Sequence, residues 1–390
     1  MIRRVFSSGV EALRRTDRML GQRSGRRRIL VDARTPVNYT IVAPVYRAMV
    51  ADNRVDFFFT ASEEPRRLPE IYRGTKGLRL IDPSDARRMR FDAYLASDFM
   101  WQPLPRGTCR IQMFHGVGGK YGFDAPTTSM RAWDRIFFVN ERRLSNFIKA
   151  RAIDADSPAS RLIGYPKVDA VVNDTWTRNA VLESLGLDPA RPTVLYAPTW
   201  CPASSLNAMG VDLIARVLDS GVNLIVKLHD RSRDVRTFYS GGVDWVSTLT
   251  PLLPPGRGVL APGHDICPYL VASDLMITDH SSAGFEFLLR DRPLVRIHRP
   301  DLIRTANIHP DYVDLLASVS DSVTTVDQAV VAVERGLAAP DTRSEWRRAV
   351  AADLFYRPGG ATARAARNLY EAIQLEPATA VVPQEVPCRL

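Results

Sequence analysis

Short apolar runs recur along the chain, each followed by turn residues or a stretch of helical character. In the first half they are RILVDA (28–33), VDFFFTAS (55–62), FDAYLAS (91–97), RIQMFHG (110–116), RIFFVNE (135–141) and RLIGYPK (161–167). Runs this continuous predict strands buried on both faces of a parallel sheet, because an exposed face would impose alternation. Tyr39–Ala51 reads as a helix between the first two. The rhythm pauses over 169–192, where a helix is predicted at Thr177–Leu185, closed by Gly186. A second series follows: TVLYAPTW (193–200), VNLIVKLH (222–229), GVLAPG (258–263), DLMITDH (274–280) and PLVRIHR (293–299). Helices over Ser344–Phe355 and Ala361–Leu375 end the pattern. Two βα series of similar size predict an α/β protein of two Rossmann-type, doubly wound parallel-sheet domains facing across a cleft. The expected domains are 29–170 and 190–375, with a basic segment at 1–28 and a loose tail at 376–390.

Charge changes the picture only at the N-terminus. The chain of 390 residues has a net charge of +9. Nine arginines against Glu11 and Asp17 make residues 1–28 alone +7, so the rest carries only +2 (9 − 7). Ile2, Phe6, Val10 and Leu13 recur near helical spacing among those arginines, as in a basic amphipathic helix lying on an anionic membrane surface. A solvated arm is the alternative. Nucleic-acid binding is not expected, because basic and aromatic residues are not interleaved elsewhere. No run of about 18 apolar residues and no apolar signal core occur, and the four cysteines are scattered singly. A cytoplasmic protein, peripheral at the inner face of the membrane, is expected.

In doubly wound sheets, ligands bind outside the carboxyl ends of strands. The polar residues that end these runs are therefore the candidates for chemistry. In MITDHSSAGFEFLLRDRPLV (276–295), Asp279 and His280 lie where a strand hands over to a helix, and Ser281 and Ser282 fall on its first turn. Such a turn presents unpaired N–H groups to a phosphate, and serine hydroxyls add donors. A plain capping role is the alternative. In MFHGVGGKYGFD, His115 ends a strand, where it can take a proton from a hydroxyl. The glycines after it let backbone approach a ligand, and Lys120 offers a point charge to a phosphate. His229 ends a strand in LIVKLHD, with Lys227 two residues before it, and Thr199 leaves a strand in YAPTW. The His229-Asp230 and His264-Asp265 pairs do not have usual metal-ligand spacing, so neither metal nor cofactor is expected.

Five motifs in order, HGVGGK (115–120), GYPKVD (164–169), YAPTW (196–200), KLHD (227–230) and SDLMITDHSSAGFE (273–286), resemble those of the CDP-glycerol glycerophosphotransferase family. The resemblance implies a GT-B-like fold and a metal-independent transfer of a polyol phosphate from a CDP-activated donor to a lipid-linked or glycan acceptor. By motif match, His115 would be the general base and His229 would contact the donor's phosphates. Ser281 and Ser282 would hold the diphosphate, with Lys120, Lys227, Asp279, His280 and Glu286 around it. Thr199 and the loop PGHDI, with His264, Asp265 and Ile266, would serve the nucleotide. The chain departs from the pattern at Lys227 (Arg in the family), Asp230 (Pro), His280 (Tyr) and Glu286 (Asp). The donor alcohol is left open among glycerol, ribitol and sugar phosphates, and Asp230 is expected to raise the pKa of His229. A nucleotide-sugar glycosyltransferase, a UDP-sugar epimerase and a non-enzymatic membrane-bound scaffold are the alternatives.

Overall fold

The computed structural model describes residues 25–120 and 130–377. The basic segment 1–28 and the tail 376–390 therefore lie almost wholly outside the described residues. The twelve strands are β1 Arg27–Asp32, β2 Val55–Thr60, β3 Ala93–Ser97, β4 Cys109–Met113, β5 Arg135–Phe138, β6 Ser160–Leu162, β7 Thr193–Tyr196, β8 Asn223–Val226, β9 Gly258–Leu260, β10 Leu275–Thr278, β11 Leu294–Ile297 and β12 Asp321–Val323. They form two six-stranded sheets, ordered β2-β1-β3-β4-β5-β6 and β12-β11-β10-β7-β8-β9. Every pairing is parallel. Nearly every residue of β3, β7, β8, β10 and β11 is buried, which is why these segments read as unbroken apolar runs.

Each predicted strand exists, but the carboxyl-terminal residues of several runs leave the ladder. TVLYAPTW pairs only through Tyr196, and DLMITDH only through Thr278. Pro198 has no N–H to donate, and the Asp279 carboxylate turns to Thr199 and Ser205. The edge strand β12 was not predicted: three residues carrying Asp321 and Ser322 make no apolar run.

The chain divides into two compact units, each described by itself. The first comprises the described parts of Met1–His115, Asp124–Asp169 and Tyr356–Leu390; the second comprises those of Gly116–Phe123 and Ala170–Phe355. The last helix, Ala361–Ala372, thus belongs with the first sheet, whereas a linear reading assigned 190–375 to one domain. The reason is visible at Asp169. Its buried carboxylate accepts from the backbone N–H groups of Gly359 (2.8 Å), Ala361 (3.2 Å) and Thr362 (2.6 Å), capping that helix. Asp169→Ala strands three donors at a buried helix end and should lower stability by about 2–4 kcal/mol. A urea titration measures this; a loss below about 0.5 kcal/mol, the size of an ordinary surface change, would remove the staple.

In the second unit the order β12-β11-β10-β7-β8-β9 reverses direction between β10 and β7. That switch point opens a crevice at the carboxyl ends of the two strands. One core, including Val194, Leu224, Val226, Leu275, Ile277, Val295 and Ile297, holds these strands against the helices Ser205–Asp219 and Val326–Ala338.

Candidate active site

In the first unit the strand ends converge on His115. The helix Pro36–Met49 starts with a capping box between Thr35 and Asn38. The amide of Asn38 reaches on to Ser97 Oγ (2.7 Å) and to Asp98 Oδ2 (3.2 Å), beyond the end of β3. Asp98 and Phe99 turn the chain there with φ of 56° and 57°, the left-handed region that few side chains adopt. The turn aims the Asp98 carboxylate at Nδ1 of His115, beyond the end of the adjacent strand β4, and the two groups are in close hydrogen-bonding contact. Burial acts to raise the Asp98 pKa, but His115 and Arg34 outweigh it and hold the carboxyl below its ordinary value. A carboxylate on Nδ1 accepts its hydrogen and leaves the Nε2 lone pair as the basic position. The His115 side chain is half exposed, so that position is open to a reactant. Asp98 was not among the sequence candidates, although it too ends a strand run.

In the second unit Lys120, Thr199 and Asp279 come together at the switch point. Asp279, fully buried just past β10, accepts from Thr199 N–H (2.8 Å), Ser205 N–H (3.0 Å) and Ser205 Oγ (2.9 Å). Lys120 Nζ donates to Thr199 Oγ1 at 3.0 Å, and its backbone carbonyl accepts from His309 N–H at 2.9 Å. Desolvation pushes Lys120 down to about 8, and Asp279 pulls in the opposite direction. Burial raises Asp279, against its backbone donors and Lys120. Gly118 earns its place by packing: a Cβ there would meet the Tyr312 ring at 3.2 Å.

His229 lies past the end of β8 and caps the short turn Asp230–Arg233, with Nδ1 accepting from Arg231 N–H at 3.1 Å. Its proton therefore resides on Nε2, making His229 a neutral hydrogen-bond donor. Burial dominates and, with Arg231, Lys227 and Lys120 nearby, lowers the pKa to about 3; Asp230 pushes upward as expected but is outweighed. Asp230 also holds His264 Nδ1 at 2.7 Å. Lys227 Nζ donates to the carbonyls of Gly263 (3.0 Å) and Leu228 (3.2 Å). These contacts fasten the loop carrying His264, Asp265 and Ile266 beside His229. Within it Asp265 accepts from Cys267 N–H (3.0 Å) at the start of the helix Cys267–Ala272, and Ile266 is buried. Trp200 lies beside His229, their ring centroids 6.3 Å apart and tilted by 44°, with the Arg231 guanidinium 4.4 Å from the Trp200 ring centroid.

Ser281 and Ser282 precede the helix Ala283–Phe287; the Ser282 side chain makes no capping bond, and Ser281 Oγ accepts only weakly from Ala283 N–H at 3.4 Å. Neither hydroxyl is committed to a strong internal bond. Glu286 lies buried in the first turn of that helix. Among the described residues no group of three or more His, Cys, Asp and Glu side chains is arranged to hold a metal ion, and no helix is long and apolar enough to cross a membrane. A cavity of about 320 Å³ opens at the opposite, amino-terminal ends of the strands, lined by Arg178, Arg191, Asp274 and Arg292.

Two parallel α/β units, one with a histidine–carboxylate pair past its strand ends and the other with a buried lysine and two serines past its own, make up a GT-B-like fold. The chain belongs to the CDP-glycerol:poly(glycerophosphate) glycerophosphotransferase family, which matches it over residues 93–375. It is 24% identical over 231 residues to the teichoic acid poly(glycerol phosphate) polymerase of Bacillus spizizenii, a match covering 52% of this chain and 54% of that one. The match thus spans about half the length of that curated relative. The fold resembles the wall teichoic acid polymerase TagF, solved as a histidine-to-asparagine variant soaked with CDPG, with TM-score 0.69, 15% identity and coverage of 90% of this chain and 89% of that one. It resembles less closely the UDP-GlcNAc 2-epimerase of Neisseria meningitidis, with TM-score 0.55, 13% identity and coverage of 89% and 100%.

Proposed function

We propose that the protein transfers a polyol phosphate, glycerol phosphate or a close analogue, from a CDP-activated donor to a hydroxyl on a growing glycan or lipid-linked acceptor in the synthesis of a wall polymer. The family match over residues 93–375 carries this reading, and the strand-end chemistry supports it. The acceptor oxygen attacks the β-phosphorus of the donor, the bond from that phosphorus to the bridging oxygen breaks, and CMP leaves with that oxygen. The acceptor proton passes to Nε2 of His115, whose Nδ1 is held by Asp98. The role of the second unit is to neutralise and orient phosphate oxygens, which is most of what such a transfer needs. Lys120 supplies charge, His229 a fixed N–H, and Ser281 and Ser282 hydroxyl donors. Lys227, Asp279 and the loop of His264 hold these groups in place. Residues 1–28 would keep the protein at an anionic membrane surface, where a lipid-linked acceptor resides.

The test is product formation. The full chain, given CDP-glycerol and a glycerol-phosphate-primed lipid acceptor, is expected to release CMP in proportion to acceptor extension. Release of UDP from a UDP-sugar, with CDP-glycerol untouched, would replace this reading by sugar transfer. No turnover of either would leave the scaffold.

A further inference from the structure

One buried polar group of the second unit, His280, has no part in the transfer proposed above. His280 is fully buried, and neither ring nitrogen has a hydrogen-bond partner among the described residues. Beside it, the register Thr278↔Arg296 between β10 and β11 sets His280 and His298 at equivalent places just beyond the two strand ends. Their ring centroids lie 6.0 Å apart at 71°. Arg296, also buried, donates from NH2 to Ser322 Oγ on β12 at 2.8 Å and lies 3.4 Å from His298 Nδ1. No carboxylate forms an ion pair with Arg296 among the described residues; the counter-charge acting on it, that of Asp314 on the helix Pro310–Ser318, does so at longer range. Lys120 adds further positive potential at His280.

Two facts about this cluster need an explanation. A buried guanidinium without a carboxylate is costly, as is a buried imidazole with both nitrogens unpaired. A phenyl ring at position 280 would fill similar space at no such cost. Burial, together with Arg296, Lys120 and His298, keeps the ring neutral, with a pKa lowered to about 3. A neutral imidazole presents one N–H donor and one acceptor nitrogen. It is therefore completed by a ligand that offers both an oxygen and a hydroxyl hydrogen. The guanidinium beside it calls for that oxygen to be anionic. Ser281 and Ser282, the proposed phosphate ligands, follow His280 directly in the chain.

The geometry points to His280, Arg296 and His298 as a subsite for a phosphoryl group esterified to a hydroxylated alcohol, so that the cluster reads the transferred half of the donor and not its nucleotide. This rests on the proposed function for the identity of the donor, but its test needs no turnover. Arg296 and His298 meet the phosphoryl oxygens, while the acceptor nitrogen of His280 takes a hydroxyl hydrogen of the alcohol. A ligand with phosphate but no hydroxyl leaves that nitrogen unpaired.

The chain has six histidines, few enough for each ring to be assigned by single substitution in a ¹⁵N-histidine sample of the full protein. Glycerol phosphate is expected to shift the ring signals of His280 and His298 and to bind more tightly than methyl phosphate, whose dianion has no hydroxyl. CDP-glycerol should bind about tenfold more weakly to Arg296→Leu and to His280→Phe, the effect of losing one hydrogen bond to a charged group. His280→Phe should melt no lower than the wild type, since it removes an unpaired buried polar group, which separates lost binding from lost folding. Unmoved His280 signals, equal affinity for methyl phosphate and glycerol phosphate, or wild-type affinity in His280→Phe would each overturn the subsite. CMP release with an unaffected His280→Phe sinks the subsite alone. Binding of glycerol phosphate without CMP release sinks the catalytic reading and leaves the subsite standing.

Discussion

His115→Ala should lower kcat by about 10²–10⁴-fold, the usual worth of a positioned general base, while the KM for the CDP-activated donor changes little. The split follows from what His115 touches. Among the described residues its ring is engaged through Nδ1 alone, by Asp98, and its side chain is half exposed, so its removal leaves no core cavity. The donor-holding groups proposed here, Lys120, His229, Ser281 and Ser282, belong to the other unit and are untouched. Asp98→Asn gives a second readout. An asparagine can fill the space, but its amide N–H₂ can turn toward Nδ1 and favour the wrong tautomer. That variant should lose activity without losing thermal stability comparable to a core substitution. Steady-state assays of CMP release decide the matter. Retention of more than a tenth of wild-type kcat in His115→Ala would take the base role away from this residue.

The second large effect is on stability. Asp279→Ala should destabilise the protein by about 3–5 kcal/mol, the range for removing one partner of a buried charge network. Asp279 is fully buried and answers Thr199 N–H, Ser205 N–H, Ser205 Oγ and the charge of Lys120. Alanine leaves two backbone donors unpaired, leaves the Ser205 hydroxyl only its contact with the Tyr196 hydroxyl, and removes the charge of Asp279 from beside Lys120. Lys120 then falls further below its present value of about 8, because the interaction that raised it is gone. The sign with pH follows. In the wild type, between about 8 and 10.5, the unfolded chain still holds the Lys120 proton that the folded one has released. The contribution of this lysine to stability therefore rises with pH across that window. In Asp279→Ala the window should open at lower pH. Urea unfolding from pH 7 to pH 10 measures both effects; a loss under about 1 kcal/mol at pH 7 would mean that Lys120 and Asp279 do not form the coupled pair described here.

Which residues end up past strand ends was largely legible in the chain, and what was not has a common origin. His115, Thr199, His229, Asp279 and His280 all leave strands as expected, because a polar residue ending an apolar run is a local signal. Asp98 ends such a run as well, but its importance rests on a contact with His115 across two paired strands. Arg296 and His298 lay inside a run read only as a strand. Asp230 does push His229 upward, as its adjacency suggests, but burial outweighs it. Asp265 and Asp169 are candidates of position whose carboxylates cap helices.

The amino-acid sequence by itself determined the alternation of strands and helices, the α/β class with two sheets, and the family. Each of these is written in short-range periodicity or in contiguous motifs. Tertiary structure alone decided which strand ends meet. The pairing of β7 with β10 brings Asp279 to Thr199 and Ser205, and that of β10 with β11 brings His280 to His298. It returned the last helix to the first sheet through Asp169, about 190 residues away. It also set the protonation of His229 and Lys120, because desolvation depends on everything packed around a group and not on its neighbours in the chain.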